Sequence, residues 1–243
     1  MSVWLRSAVV LGDEFPSTGG YPFDIPAFRG HSTLDLHEPV AFFVGENGCG
    51  KSTLIRALAR KCGVHLWGSP ERRLPGGEMP AAALARHLRV VLAKEGVTGG
   101  LFSADSFRDW AEFLDAIARI DPGQARYNGG ADLTARSRGE GILAYFRARY
   151  QIPGLYFLDE PESALSPFSQ LELLRVLAEY QERGEAQFVV ATHSPILMAL
   201  PGSQVFQFSD GGIEETTFHS TEHFRLYRDF LIDPGAFLPQ PPG

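Results

Sequence analysis

The stretch AFFVGENGCGKSTLIRALAR, from Ala41 to Arg60, decides the fold of this chain. The apolar run Val40 to Val44 predicts a buried strand, and the pattern that follows predicts a helix over residues 51–61. Between them the residues fit G-x-x-x-x-G-K-S, with Gly45 and Gly50 as the two glycines. Glycines let the backbone turn so tightly that several N–H groups face one concavity, which suits the oxygens of a polyphosphate. We therefore predict a phosphate-binding loop between a strand and a helix.

Several side chains of this loop have an expected role. Lys51 would reach the β- and γ-phosphates, the Ser52 hydroxyl would ligate Mg²⁺ and Thr53 would touch the α-phosphate. We interpret Cys49 as a small residue that fits the loop, with a redox-sensitive thiol as the alternative. The predicted nucleotide-binding residues of the loop are Gly45, Glu46, Asn47, Gly48, Cys49, Gly50, Lys51, Ser52 and Thr53.

Composition indicates an ordinary globular protein. The chain has 243 residues, of which 44% are hydrophobic and 21% charged, and these values are typical of a soluble domain. The two cysteines do not make a disulfide framework, so we expect a reducing, cytoplasmic location. We find no membrane-spanning apolar stretch and no signal peptide.

Charge is distributed unevenly along the chain. The net charge is −7, yet residues 56–94 hold eight basic residues against two acidic ones. This segment could face a polyanion such as nucleic acid. A solvated helical face or an interface to an acidic partner explains it equally well. The basic residues are Arg56, Arg60, Lys61, Arg72, Arg73, Arg86, Arg89 and Lys94.

The rest of the chain alternates between strand and helix patterns, which predicts an α/β sheet with helices packed on it. We expect further strands over residues 3–11, 31–36, 155–158, 187–190, 204–208 and 212–217. We expect further helices over residues 81–94, 106–120, 141–150, 166–184 and 221–231, and a Gly-Gly break at residues 99–100.

Two adjacent acids follow the buried strand in GLYFLDEPESALS, residues 154–166. Because side chains alternate along a strand, Asp159 and Glu160 should not share one role. Asp159 would hold Mg²⁺, directly or through water, and Glu160 would orient or deprotonate an attacking water. The alternative is a pair of surface acids at a strand end.

Two shorter segments could contact a γ-phosphate. SRGEG, residues 137–141, opens a helix, and its Ser hydroxyl and Gly N–H could hold a phosphate bound to another copy of the chain. A plain helix cap is the alternative. In ATHSP, residues 191–195, His193 follows a strand and could sense the γ-phosphate, with a structural histidine as the alternative.

Together these motifs resemble the ATP-binding cassette (ABC) superfamily. Their order is GENGCGKS (Walker A), SRGE (signature), LYFLDE (Walker B), SALS (D-loop) and THS (switch histidine). The chain is most similar to the small stand-alone bacterial ATPases related to RecF-like repair and chromosome-maintenance ATPases. YPFDIPAFRG and YRDFLIDPGAFL also resemble that group, and the resemblance is weakest between Cys62 and Asn128.

The resemblance implies a fold and an activity. The fold would be an α/β P-loop NTPase of ABC type: a mixed sheet with flanking helices, antiparallel N-terminal strands and a small helical subdomain. All 243 residues would form one domain, with the helical subdomain at about residues 63–150. The activity would be hydrolysis of ATP with Mg²⁺.

The resemblance also implies a dimer that closes around two ATP molecules. Ser137 and Gly139 of one copy would cap the ATP held by Lys51 of the other. Glu160 would be the catalytic carboxylate and His193 the γ-phosphate sensor, while Ser163 and Ala164 would lie at the dimer seam. ATP binding would close the dimer and hydrolysis would open it.

The chain departs from the family pattern in several places. The signature has Arg138 before Gly139 instead of the double glycine of transporters, and the Q-loop glutamine has no clear match. Asp105 or Ser103, in LFSADSF, could replace that glutamine. Tyr21 or Phe23 could stack on adenine, with core packing as the equal alternative for both.

These features favour a soluble ATPase that acts as a mechanical or signalling switch in DNA repair or defence, with a nucleic acid or a protein as its partner. With only 85 residues between Lys51 and Ser137, long coiled-coil arms are excluded. The alternatives are the ATP-binding subunit of an ABC transporter, which needs a membrane partner, and an ATP-dependent binding module whose slow hydrolysis only resets it.

Overall fold

The structure, a computed structural model, describes residues 3–16, 20–66, 79–130 and 132–238. Its strands are β1 (Leu5–Leu11), β2 (His31–Asp35), β3 (Val40–Val44), β4 (His65–Leu66), β5 (Leu88–Leu92), β6 (Gly99–Ser103), β7 (Gly154–Asp159), β8 (Ala186–Ala191), β9 (Gln204–Ser209) and β10 (Gly212–Thr216). Its helices are α1 (Lys51–Lys61), α2 (Pro80–Ala85), α3 (Phe107–Ile120), α4 (Pro122–Ala125), α5 (Arg138–Arg149), α6 (Pro167–Arg183), α7 (Pro195–Met198) and α8 (Glu222–Ile232).

The larger of two sheets positions the predicted site. Its strand order is β10-β9-β3-β8-β7-β6-β4, and all neighbours are parallel except the β9–β10 hairpin. Every residue of β3, β7 and β8 is buried, which explains why these strands are continuous apolar runs rather than alternating ones. The mixed sheet predicted from the sequence is confirmed.

A smaller antiparallel sheet covers one face of the larger one. Its order is β2-β1-β5, so the predicted antiparallel N-terminal strands are also confirmed. Successive side chains of β3 point into two different cores. Phe43 packs in a core that includes the small sheet and α1, while Phe42 packs in a core formed with α3, α5 and α6.

Two buried glutamines tie the sheets together. The Gln187 side chain on β8 accepts from the backbone N–H groups of Trp4 (2.9 Å) and Leu5 (2.7 Å), and donates to the Leu5 carbonyl (3.0 Å). Gln204 on β9 accepts from the N–H groups of His37 and Glu38 just after β2. Because buried backbone groups must be paired, these contacts fix where the small sheet lies on the large one.

The helix predicted over residues 81–94 is wrong in its second half. α2 ends at Ala85, and Leu88–Leu92 forms β5, which pairs with β1. Val90 and Val91 are β-branched residues that favour a strand, and the sheet edge of β1 offers them hydrogen-bond partners. A run of alanines before them made the segment look helical.

The break predicted at Gly99 and Gly100 is also wrong, because both glycines belong to β6. Gly99 has φ +151, and a Cβ added there would lie 1.8 Å from the Leu155 carbonyl oxygen. The glycine therefore allows β6 to lie close against β7. The helices α3, α4 and α5 fall within the predicted subdomain at residues 63–150, whereas β5 and β6 of that range belong to the sheets. The subdomain boundary stays a prediction.

We predict that Gln187→Leu destabilises the protein by about 3 kcal/mol, because three buried backbone groups lose their partner. Urea unfolding followed by circular dichroism measures this change. Gln151→Leu is the matched control, since the exposed Gln151 side chain donates to the Arg147 carbonyl of its own helix end, and it should change stability by less than about 0.5 kcal/mol. Equal effects of the two substitutions would contradict the role of Gln187 in holding the small sheet on the large one.

Candidate nucleotide-binding site

The loop between β3 and α1 has the glycines where its backbone needs them. Gly45, Gly48 and Gly50 have φ values of +147, +83 and +103, which side chains rarely tolerate. A Cβ on Gly50 would lie 2.6 Å from the Phe28 ring, and one on Gly45 would lie 2.6 Å from the Phe208 carbonyl oxygen. The loop is therefore packed closely from outside while its backbone curves around Lys51.

Lys51, the first residue of α1, is only 4% exposed. Its Nζ donates to the carbonyl oxygens of Gly45 (2.7 Å) and Glu46 (2.9 Å) and lies 3.7 Å from the Cys49 Sγ. These contacts hold the ammonium group over the loop, at the positive end of the helix dipole. An anion in the loop would face both charges.

A cavity of about 140 Å³ lies against this loop. In the part of the chain that the structure describes, its lining contains none of the signature residues 137–140. The cavity is lined by Tyr21, Asn47, Gly48, Gly50, Lys51, Ser52, Thr53 and Glu160.

Of the two aromatic candidates for adenine stacking, Tyr21 lies at this cavity. Its hydroxyl is 2.5 Å from the Thr53 Oγ1, and its side chain is about half exposed. Phe23 instead packs against Phe15 and His87, with ring centroids 4.9 and 5.3 Å away. The geometry favours Tyr21, and the stacking role stays a prediction.

A second, smaller cavity of about 80 Å³ adjoins the first. It brings together the two predicted metal ligands and both candidates for the Q-loop position, because Ser103 at the end of β6 pairs with Asp159 at the end of β7. Hydroxyl and carboxylate oxygens are the ligands that Mg²⁺ prefers. The lining residues are Ser52, Arg56, Ser103, Ala104, Asp105, Asp159, Glu160 and Ser163.

Asp159 is buried, and only one of its two carboxylate oxygens has a hydrogen-bond partner among the described residues. Its Oδ2 accepts a hydrogen bond from the Arg56 guanidinium at 2.8 Å, whereas its Oδ1 is buried and has no hydrogen-bond partner in the described part of the chain. An unpaired buried carboxylate oxygen is costly unless a cation completes it. The site therefore fits Mg²⁺ at Oδ1, with Ser52 nearby. No sequence motif predicts that Arg56 balances the charge of this acid.

Glu160 has a strained backbone. Its φ of +46 and ψ of +55 place it in the left-handed region, and its N–H donates to the Ala191 carbonyl at 3.0 Å. Such strain is typically found at functional sites. Burial and the neighbouring Asp159 raise the pKa of the Glu160 carboxyl, and Lys51 opposes that shift. A raised pKa makes this carboxylate a better proton acceptor near neutral pH.

His193 is held from two sides. Its backbone N–H donates to the Glu162 Oε1 at 2.7 Å, and its Nδ1 lies 3.1 Å from the Nε2 of His223. Its own Nε2 is 3.7 Å from the Glu160 Oε1. Burial, with Lys51 and His223 nearby, lowers the pKa of His193 to about 4. The ring is therefore uncharged at neutral pH and does not form an ion pair with Glu160.

Comparison with known proteins identifies the family to which this chain belongs. The "Aliphatic sulfonates import ATP-binding protein SsuB 3" of Paraburkholderia xenovorans (strain LB400) is 30% identical over 211 residues, which are 82% of this chain and 78% of that protein. SsuB 1 of Paracoccus denitrificans (strain Pd 1222) is 28% identical over 191 residues, or 75% of this chain and 74% of the relative. The chain belongs to the ABC ATPase family. It is an ATPase.

Two solved structures confirm the fold of this ABC ATPase. The SMC head domain from Thermotoga maritima matches with a TM-score of 0.50 and 18% identity, covering 88% of this chain and 99% of that one. An SmcHead bound to the C-winged helix domain of ScpA matches with a TM-score of 0.52 and 14% identity, covering 88% and 97%. A family described as "AAA domain, putative AbiEii toxin, Type IV TA system" matches residues 123–199.

The signature segment of this ABC ATPase lies on the surface. Exposed Ser137 caps α5 together with Glu140, each side chain bonding the other's backbone N–H. The Arg138 guanidinium donates to the Ala104 carbonyl. Gly139 faces the D-loop, since a Cβ there would lie 3.5 Å from the Ala164 carbonyl oxygen. The segment is thus packed against the Q-loop and D-loop segments of its own chain.

Several supporting residues could not be found from sequence motifs. Buried Asp115 on α3 accepts from the backbone N–H groups of Leu133 (2.8 Å) and Thr134 (3.0 Å), which lie just before the signature. Glu162 anchors the switch loop, which is the ATHSP segment at residues 191–195, and burial raises the pKa of the Glu162 carboxyl. His223 lies on α8, outside the motifs quoted above. Among the described residues, no helix is long and apolar enough to span a membrane.

We predict that neutral His193 makes stability depend on pH. The pKa of His193 in the folded protein is about 4, against an ordinary value of 6.5. The stability that the uncharged ring contributes is therefore complete above pH 6.5 and is lost as the pH falls toward 4. Allowing for solvent screening, we expect a loss of about 1–2 kcal/mol in the wild type relative to His193→Gln. Urea unfolding of both proteins between pH 7 and pH 4 tests this, and parallel stability curves would contradict it.

Proposed function

We propose that this ABC ATPase closes as a dimer around two MgATP molecules, each bound between the phosphate loop of one copy and the signature of the other. One observation carries this proposal. The described lining of the Lys51 cavity lacks Ser137 and Gly139, which instead form an exposed helix start. The positive dipole end of a helix N-terminus suits a phosphate, and a second copy would supply one such end to each cavity.

In the proposed site the side chains of this chain have separate tasks. Lys51 neutralises phosphate charge, and the loop N–H groups orient the phosphates. Glu160 accepts the proton of the attacking water, a role supported by the raised pKa of its carboxyl. His193 is neutral, so its Nε2 can act as one hydrogen-bond donor or acceptor toward the γ-phosphate without adding charge.

Mg²⁺ would be held by Ser52 and Asp159, with the unpaired Asp159 Oδ1 as the supporting observation. When bound, the ion supplies positive charge that stabilises the transferring phosphoryl group. Arg56 already occupies the Asp159 Oδ2, so it fixes the orientation of the carboxylate. We infer that Asp105 or Ser103 completes the contacts at the Q-loop position, because both line the same cavity.

The use of this ATPase as a mechanochemical or signalling switch is also a proposal. The alternative, an ABC transporter subunit, is favoured by the similarity to proteins named as import ATP-binding proteins. The missing Q-loop glutamine and the Arg138 signature speak for the switch. Association with a membrane transporter when the chain is expressed with candidate membrane subunits would favour the alternative. The expected cytoplasmic location stays a prediction.

Nucleic acid remains one proposed partner of the switch. Among the described residues of the basic segment at 56–94, Arg56 binds Asp159, Arg89 binds Glu14 and Lys94 lies over the Trp4 ring, so these three cations already have partners. Arg72 and Arg73 lie outside the described residues. The similarity of residues 123–199 to a family described by a toxin–antitoxin system supports a role in defence.

Mixing two inactive variants tests whether each ATP site is a composite site, built from residues of both copies. Lys51→Ala removes the phosphate contact of one copy and Ser137→Arg blocks the signature of the other. If Ser137 acts on the partner's ATP, mixed dimers have one complete site. We expect about a quarter of wild-type ATPase activity in a 1:1 mixture, since about half of the dimers are mixed. No recovery in the mixture, with both variants folded, would contradict the proposal.

Blocking hydrolysis should trap the closed dimer. We expect Glu160→Gln to double its mass in light scattering on addition of MgATP, because the γ-phosphate is retained. Lys51→Ala is the control, which should stay unchanged. The same measurement with short duplex DNA tests whether the closed dimer binds nucleic acid, since added mass would indicate a complex with the DNA. Tight ATP binding without any mass change would contradict the dimer.

A further inference from the structure

The segment that follows His223 has an unusual apolar surface. All described residues from Arg225 to Leu238 are exposed, although many of them are large and hydrophobic. The Phe230 and Phe237 rings contact each other at 5.8 Å, so α8 and the turn after it share one surface. This α8 surface comprises Leu226, Tyr227, Phe230, Leu231, Ile232 and Phe237.

Such a helix is expected to be packed against something. An 11-residue helix is marginal in water unless a neighbour covers its apolar face. Leu231 and Ile232 are 73% and 76% exposed. A contiguous patch of this kind commonly marks an interaction site.

A second apolar patch lies at the start of α6. Phe168 is 82% exposed and Leu171 is 39% exposed, and both follow directly after the D-loop. Ser166 caps α6 by accepting from the Ser169 N–H. This α6 surface, Phe168 and Leu171, is therefore fixed to the segment that the proposed dimer places at its seam.

Both surfaces adjoin the switch loop. The α8 surface is connected to it through His223, whose Nε2 lies 3.1 Å from the His193 Nδ1. The α6 surface is connected through Gln170, which accepts a hydrogen bond of 2.6 Å from the Ser194 hydroxyl. Each patch is thus connected to the switch loop through one hydrogen-bonded residue of its own helix, and Phe168 remains exposed within one copy.

We propose that, in the ATP-bound dimer, the α8 surface of each copy packs against the α6 surface of the other. The inference rests on the proposed function, because it needs the two nucleotide sites to face each other. Each copy carries both surfaces, so a two-fold axis makes the same contact twice and covers both patches. A second copy is thereby the occupant that the position of the patches favours.

The contact gives the nucleotide a route to the dimer interface. The His193 Nε2 faces the Glu160 carboxylate, and the His193 Nδ1 faces the Nε2 of His223. His223 lies in the first turn of α8. Loss of the γ-phosphate would move His193 and with it the base of α8. Hydrolysis would then loosen a contact made on the other copy.

Charge substitution at the contact tests the proposal in the Glu160→Gln background with MgATP. Leu231→Glu and Phe168→Arg each place a charge in an apolar contact, and we expect each to weaken dimerisation at least about tenfold. In the double variant the two charges meet across the interface, so we expect partial recovery of the dimer. Both side chains are exposed, so folding should be retained, which circular dichroism verifies.

The control is Ile120→Glu at the end of α3, a residue that is 86% exposed, which should leave dimerisation unchanged. Normal dimers of both single variants would overturn the inference while leaving the composite site intact. If the unmodified Glu160→Gln protein fails to dimerise, the proposed function itself fails. Loss of binding to phosphatidylglycerol vesicles in Leu231→Glu, with dimerisation unaffected, would assign the α8 surface to a membrane and overturn the inference.

Discussion

The chemistry of this protein depends on one edge of its parallel sheet, where four strands end at the same level. Phe43 of β3 pairs with Ala191 of β8, Ala191 pairs with Asp159 of β7, and Asp159 pairs with Ser103 of β6. Because the strands are parallel, each chain segment leaves the sheet on the same side. The phosphate loop, the two acids, the Q-loop segment and the switch loop are brought together by this register alone.

Burial sets the electrostatic character of that edge. Lys51, Asp159 and His193 are largely removed from water, so each charge must be balanced by a named neighbour or be absent. Arg56 balances Asp159, carbonyl oxygens surround the Lys51 ammonium, and His193 stays neutral. A low-dielectric site of this kind strengthens every contact made to a polyphosphate. The strained backbone of Glu160 lies at the same edge of the sheet.

The segments around the edge are connected to one another rather than independent. Glu162, just before the D-loop, accepts a hydrogen bond from the His193 backbone N–H in the switch loop, and Arg138 of the signature donates to the Ala104 carbonyl in the Q-loop segment. In the proposed mechanism, a change at the nucleotide would reach the surface through these hydrogen-bonded contacts. This connection supports the proposed role of the protein as a switch.

The sequence by itself determined the α/β class, the phosphate loop and the order of the motifs, because glycine, lysine and paired acids have few other uses in that pattern. It failed at β5 and β6, where pairing with a neighbouring strand outweighed the alanine run and the Gly-Gly signal. Only the tertiary structure decided the partners that lie far apart in sequence. Arg56 with Asp159, Gln187 with the start of β1, and His223 with His193 are contacts between distant segments, and no local pattern records which distant residue will fill a given place.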